Sequence, residues 1–289
     1  MIKDTLVNTI TDLEDLKDLN TDVLTIGDSF SQQKNGGYQN YLCLYGLSVT
    51  NIPISCIYEP MQSAYSLMSQ DIIDSTKTRV LIIECVEREI NNRIDAFDKS
   101  KQELLKRESP KIQDDNKQSD KKQDDKTISI SRARDFMFYQ LGIESPIYHA
   151  KLSRDFFSST SPRDLYFYHD DIEAGMNIKK SSEEKVKEVY YTLLQKAKEK
   201  GITLILMIAV DKYDLYQTFI VNNQYPKKTV NEDIKRIIGA SPSILLTKYN
   251  LLPLILSGEK DIFKYNDTHW SYKASKVVAK ELYNRILSQ

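Results

Sequence analysis

Three short apolar runs constrain the fold of this chain more than any other feature. They are Asp22-Val-Leu-Thr-Ile-Gly27, Arg79-Val-Leu-Ile-Ile-Glu84 and Ile202 to Ala209. Apolar stretches of this length without alternation read as strands buried on both faces, the pattern of a parallel sheet covered on either side. Leu47 to Ile54 and Ser243 to Leu246 are two further strand candidates. The segments between them have helical character. Gly36 to Gly46 carries Tyr38, Tyr41, Leu42 and Tyr45 at i, i+3, i+4, i+7 spacing. Met61 to Ile73, Val86 to Phe97, Glu183 to Lys200, Tyr213 to Val221, Val230 to Ile238 and Tyr272 to Leu287 read as helices too. Ser181 and Ser182 with Glu184 form a capping signal for the fourth of these, and Gly201 stops it. Strands alternating with helices predict an α/β fold: one domain built as a three-layer α/β/α sandwich with a mostly parallel sheet.

Two stretches interrupt this alternation. Residues 99–128 are mostly Lys, Asp, Gln, Ser and Asn, and cannot bury enough apolar area to offset the entropy of ordering them. They read as a solvated, disordered insertion. An aromatic-rich insert over 129–180 follows, with Phe136, Phe138, Tyr139, Tyr148, Phe156, Phe157, Tyr166, Phe167 and Tyr168 at no clean period. It reads either as an irregular subdomain burying its own aromatics or as a wall facing a carbohydrate or other ligand.

Composition bounds the function. With 40 basic and 41 acidic residues the net charge is −1, so there is no electrostatic case for nucleic acid or an anionic membrane. No apolar run approaches the ~20 residues that cross a bilayer. Met1 to Leu16 is polar and acidic, without the apolar stretch of a signal peptide. The expectation is a cytoplasmic protein, or one whose leader or anchor lies outside this sequence. Cys43, Cys56 and Cys85 are few, odd in number and set in apolar stretches, so they read as small buried hydrophobes.

Two clusters could carry chemistry. Gly27-Asp28-Ser29-Phe30 follows the first buried strand. A serine at the carboxyl end of such a strand projects into the crevice where open α/β sheets place ligands. Glycine permits the sharp turn, and the following N–H groups can face an oxyanion. The same tetrapeptide also suits an ordinary turn. Asp267-Thr268-His269-Trp270-Ser271 stands near the other end of the chain, before the last helix. There a carboxylate can hold an imidazole in one tautomer, leaving the second ring nitrogen to take a serine proton. Trp270 would pack the loop down; the alternative reading of the motif is that Asp267 or Ser271 caps the last helix. His149 and His169 have no metal-like neighbours at ligand spacing; His169-Asp170-Asp171 suits a cation or, more simply, a solvated loop. Lys212, just past the third apolar run, suits a polysaccharide carboxylate or a neighbouring acid.

With these residues in view, the chain resembles SGNH (GDSL-type) proteins, and within them the alginate O-acetyltransferase-like, DHHW-type branch. The matching pieces are Gly27-Asp-Ser-Phe-Ser31, Glu84-Cys-Val-Glu-Arg88, Asp211-Lys-Tyr-Asp-Leu-Tyr216 and Tyr265-Asn-Asp-Thr-His-Trp-Ser271. The resemblance implies a flavodoxin-like sheet and a Ser-His-Asp triad passing an acetyl group through an acetyl-serine to or from a carbohydrate hydroxyl. Ser29 would be the nucleophile, His269 the base and then acid, and Asp267 its orienter. The implied partners are a carbohydrate acceptor and an acyl donor supplied by a membrane-bound acyltransferase, at an extracytoplasmic location. No cofactor or metal is implied, and simple ester hydrolysis or glycan binding without catalysis are the alternatives. The chain departs from the pattern after the second run, where Glu84-Cys-Val-Glu-Arg88 replaces a Gly-x-Asn-Asp-like block that supplies an oxyanion asparagine. Ala274 also stands where the branch commonly has glycine. Ser29 N–H and Gly36 or Gly37 would form part of the oxyanion hole, with Arg88, Gln39 or Tyr38 as replacement donors. The alternative for Arg88 is a structural ion pair with Glu84 or Glu87.

Overall fold

The computed structural model describes residues 6–10, 12–16, 19–33, 36–101 and 147–288. Most of the polar insertion, and Phe136, Phe138 and Tyr139, lie outside the described residues. The strands are β1 (Asn8–Thr9), β2 (Val23–Gly27), β3 (Val49–Ile52), β4 (Val80–Val86), β5 (Ile147–Lys151), β6 (Asp164–Tyr168), β7 (Thr203–Ala209) and β8 (Ile244–Leu246). Six of them form one sheet in the order β1-β3-β2-β4-β7-β8, and every neighbouring pair is parallel. Leaving aside the two-residue edge strand β1, this is the doubly wound order 2-1-3-4-5, with the winding reversed between β2 and β4. The crevice at the carboxyl ends of these two strands is therefore where Gly27-Asp28-Ser29 emerges.

The three apolar runs are continuous because β2 and β4 are buried along their whole length and β7 nearly so. Their residues alternate between two cores. Leu24, Ile26, Leu81, Ile83 and Cys85 face helices Pro60–Ser69, Glu183–Glu199 and Val230–Ile238. Val23, Val80, Ile82 and Val86 face helices Tyr38–Leu44, Lys248–Leu256 and Tyr272–Leu287. The chain is a three-layer α/β/α sandwich.

Local signals worked unevenly. Val230–Ile238 and Tyr272–Leu287 form helices over the bounds the spacing predicts. Ser182 stands at the N-cap of Glu183–Glu199 without a side-chain capping bond, because a 3₁₀ turn over Lys180–Ser182 leads into that helix. The predicted helix over 213–221 is short, Lys212–Tyr216, and passes into 3₁₀ geometry. Helix Lys248–Leu256 has no counterpart in the sequence reading; its interior Pro253 disguises it. Within the aromatic-rich insert, β5 and β6 pair as an antiparallel hairpin. Phe156, Phe157, Leu165 and Phe167 are buried in the same core as the sheet face. Cys56 and Cys85 are buried as expected, whereas Cys43 is only partly covered.

Pro60–Ser69 has an unusual cap. Glu59 accepts hydrogen bonds from Met61 N (3.1 Å) and Gln62 N (2.6 Å), with Pro60 at the first helical position. Burial raises the Glu59 carboxyl to about 7 despite these bonds. A carboxyl whose pKa rises on folding contributes stability below its unfolded pKa, and this is lost as pH climbs through the folded value. Stability is therefore expected to fall between about pH 4.5 and 7. Glu59→Gln, which keeps a capping oxygen, should flatten that part of the slope. Urea midpoints at pH 5 and pH 8 for both proteins check it; an unchanged slope would remove Glu59 as its source.

Candidate active site

The turn after β2 is held from several sides. Asp28 is buried; its Oδ2 accepts Val86 N–H at 3.1 Å and its Oδ1 accepts Arg93 Nη2 at 2.5 Å. Burial raises the Asp28 carboxyl and Arg93 opposes that rise. Arg93 also lies 3.8 Å from Glu59, so one guanidinium serves two buried acids. Ser29 opens a 3₁₀ turn, Ser29–Gln32. Beneath it Glu84 Oε2 accepts Ser31 N–H at 3.1 Å, Gln39 Nε2 donates to Ser31 O at 2.8 Å, and Tyr38 OH meets Ser31 Oγ at 3.0 Å. Glu84 is fully buried, and burial followed by the negative Asp28 raises its carboxyl well above the ordinary range.

Glycine is required at two points here. A Cβ on Gly27 would lie 2.6 Å from both Glu84 Cβ and Ser31 Oγ. One on Gly37 would lie 2.3 Å from Gln33 O. Gly27→Ala should cost about 1–3 kcal/mol through overpacking and displace the Ser29 turn. Thermal unfolding read beside an ester assay checks this; wild-type values in both would show that the turn has room to spare.

The second half of the site is a closed loop over Ile262–Ser271. Ser271 N donates to Ile262 O (2.9 Å), Lys264 N donates to His269 O (3.1 Å), and Phe263 bridges to Trp270. At its tip His269 Nδ1 lies 2.7 Å from Asp267 Oδ1, which also accepts the His269 N–H at 3.2 Å. The hydrogen bond from His269 holds the Asp267 carboxyl far below the usual carboxylate range, so the acid stays ionised. An ionised acceptor on Nδ1 keeps the proton there and leaves Nε2 as the basic nitrogen. Capping falls to a different residue: Ser271 Oγ accepts Lys273 N–H at 3.2 Å.

Phe30 joins the two halves. Its ring centroid is 5.2 Å from that of His269 and 4.4 Å from that of Trp270, and both Phe30 and Trp270 are buried. Ser29, His269 and Asp267 are each partly exposed around this packed pair. Among the described residues the Ser29 hydroxyl makes no hydrogen bond, to His269 or to any other group. Nucleophile–base bonds are often long in structures without substrate.

The replacement oxyanion donors of the sequence reading are engaged elsewhere. Tyr38 is fully buried beneath the turn, and Gln39 is committed to Ser31. Gly37 precedes the short helix Tyr38–Leu44. Arg88 is an ion-pair residue, but its partners are Asp211 (2.7 Å) and Asp171 (3.2 Å), not Glu84 or Glu87. Its guanidinium also lies 5.7 Å over the Tyr168 ring. Asp211 in turn pairs with the fully buried Lys228 at 2.8 Å and donates its backbone N–H to Glu87 Oε2 at 2.9 Å. Asp171 therefore points inward to this network, while His169 Nδ1 faces Asp170 and Glu173. Burial, then Asp211, raises the Asp171 carboxyl to about 7. Among the described residues Lys212 pairs with no acid: its ammonium meets backbone carbonyls of the Asp267–His269 loop. Among the described residues no group of three or more His, Cys, Asp or Glu side chains is arranged to hold a metal ion.

An open cleft of about 410 Å³ lies beside the turn. Ser31, Gln32, Gln33, Gln39, Asn40 and Asn51 line part of it. Sequence reasoning gave no role to Arg93, Glu59 or Gln32, and named Phe30 only as part of the serine motif. Arg93 binds Asp28 across 65 positions, and no local spacing signals such a pair.

No family model, curated protein or solved structure matches this chain.

Proposed function

We propose that this chain is a serine-dependent acyl-transfer enzyme: an O-acetyltransferase acting on a cell-envelope or exported polysaccharide through an acetyl-serine. The observation that carries the reading is the 2.7 Å His269–Asp267 pair, packed through Phe30 against the Ser29 turn at the sheet's switch point. His269 Nε2 takes the Ser29 proton as Oγ attacks the donor's acyl carbon, and passes that proton to the departing oxygen. An acceptor hydroxyl then gives its proton to Nε2 as its oxygen takes the acyl group, and Ser29 recovers a proton from the ring. The amide-lined cleft beside the turn suits a hydroxyl-rich acceptor. An extracytoplasmic location and a membrane-bound source of acyl groups belong to the same reading, by resemblance. Among the described residues no helix is long and apolar enough to cross a membrane.

Intact mass spectrometry after incubation with p-nitrophenyl acetate tests the proposal. A mass gain of one acetyl group that disappears in Ser29→Ala supports it. Neither adduct nor turnover would shift the reading to a glycan-binding module. Adding oligosaccharides to an active preparation separates acetylated sugar from free acetate, and so transfer from hydrolysis.

A further inference from the structure

We infer that Lys212 is the positioning residue of the Asp267–His269 loop, its single ammonium gathering three backbone carbonyls and thereby setting the geometry of the acid–base pair. The inference rests on the reading above for its catalytic consequence, but not for its structural one.

Lys212 opens the helix Lys212–Tyr216, just past the carboxyl end of β7, and is 1% exposed. Its Nζ donates to Lys264 O at 2.8 Å, Tyr265 O at 2.8 Å and Asp267 O at 3.1 Å. These are carbonyls from the part of the loop that lies inside its closing bonds, Ser271 N to Ile262 O and Lys264 N to His269 O. Phe157 covers the ammonium, with its ring centroid 5.2 Å away. Three acceptors converging on one point need three divergent donors on one atom, which among side chains only an ammonium offers. An arginine spreads its donors over a planar fork, and an amide has two.

This arrangement is electrostatically unusual. A buried lysine is normally paired with an acid, yet among the described residues Lys212 forms no carboxylate salt bridge. Burial brings its pKa down to about 7, against the opposing pull of Asp267 on the loop and Asp171 on the helix Asp170–Glu173. Below that value the ammonium is held by the three carbonyls it gathers. Asp267 is both an acceptor through its carbonyl and the carboxylate partner of His269, so a shift of the clamp moves the pair directly.

The test is the downfield proton signal of the His269 Nδ1–H bound to Asp267, assigned by its loss in His269→Gln. Lys212→Met and Lys212→Gln should keep the circular dichroism of the wild type and lose or broaden that signal. kcat with p-nitrophenyl acetate should fall by ~100-fold, as expected for misplacing a catalytic group by about 1 Å, with little change in KM. In Lys212→Ala, n-propylammonium should restore the signal, whereas n-propanol, of similar shape but with one donor, should not. An intact His269 signal in folded Lys212→Met, or equal rescue by propanol, would overturn the inference. If neither Lys212→Met nor Lys212→Gln folds, the propylammonium and propanol comparison on Lys212→Ala, refolded with each, decides it. The signal needs no reaction at Ser29. Failure of the acyl-transfer reading would appear as absent acetylation in a wild type that keeps the His269 signal.

Discussion

Ser29→Ala, His269→Ala and Asp267→Asn are each expected to lower acyl turnover by at least ~1,000-fold while leaving the fold intact. On the proposed mechanism, removal of Oγ takes away the atom that carries the acyl group. Removal of the imidazole leaves that hydroxyl a weak nucleophile at neutral pH. Asp267→Asn is the most informative of the three, because it keeps volume and removes only the charge that retains the proton on Nδ1. Asparagine can instead donate to Nδ1, which turns the ring to the tautomer with Nε2 protonated and unable to act as base. The fold should survive because all three side chains are partly exposed and the packing between the halves is carried by Phe30 and Trp270. The double variant Ser29→Ala/His269→Ala should be hardly worse than either single one, since the two act as a unit. Circular dichroism and an ester assay check these outcomes. Near-wild-type turnover in Ser29→Ala would sink the mechanism.

Lys228→Met should give the largest loss of stability, about 3–5 kcal/mol, by stranding a buried charge. Lys228 and Asp211 both have fully buried side chains, and their ion pair is 2.8 Å long. Without the ammonium, Asp211 keeps Arg88 alone, which it shares with Asp171. The Asp171 carbonyl, which accepts from Lys228 Nζ at 3.0 Å, loses that bond as well. Met fills most of the space, so the effect reads the charge more than a cavity. Chemical denaturation should show a lower midpoint with an unchanged slope, the mark of altered stability without an altered unfolded state. A loss below about 1 kcal/mol would mean that Arg88 alone suffices for Asp211.

Most of the architecture was legible because it depends on short-range pattern. Val80–Val86 reads as a strand from its own residues, and Tyr272–Leu287 as a helix from its own spacing. The edges were less legible: Lys248–Leu256 hides behind Pro253, and β5 with β6 behind aromatic residues that belong to the main core. For the site, Asp267 and His269 were legible as a pair because two positions in one loop can hardly avoid each other. The roles of Arg88 and Lys212 were not. Arg88 meets Asp211 across 123 positions, and Lys212 meets the Tyr265 carbonyl across 53.

The residues alone, then, determined most of the run of strands and helices, the layered class of the fold and the two short motifs on which the proposed chemistry rests. These follow from local backbone preference and from the period of apolar side chains. Only the tertiary structure decided that β2 and β4 flank the point where the winding reverses, and that Phe30 lies between the serine turn and the histidine. It alone gave the lysine just past β7 three carbonyls instead of an acid. The reason is physical: strand order brings distant segments together, and a buried charge takes whichever partners that order leaves within reach.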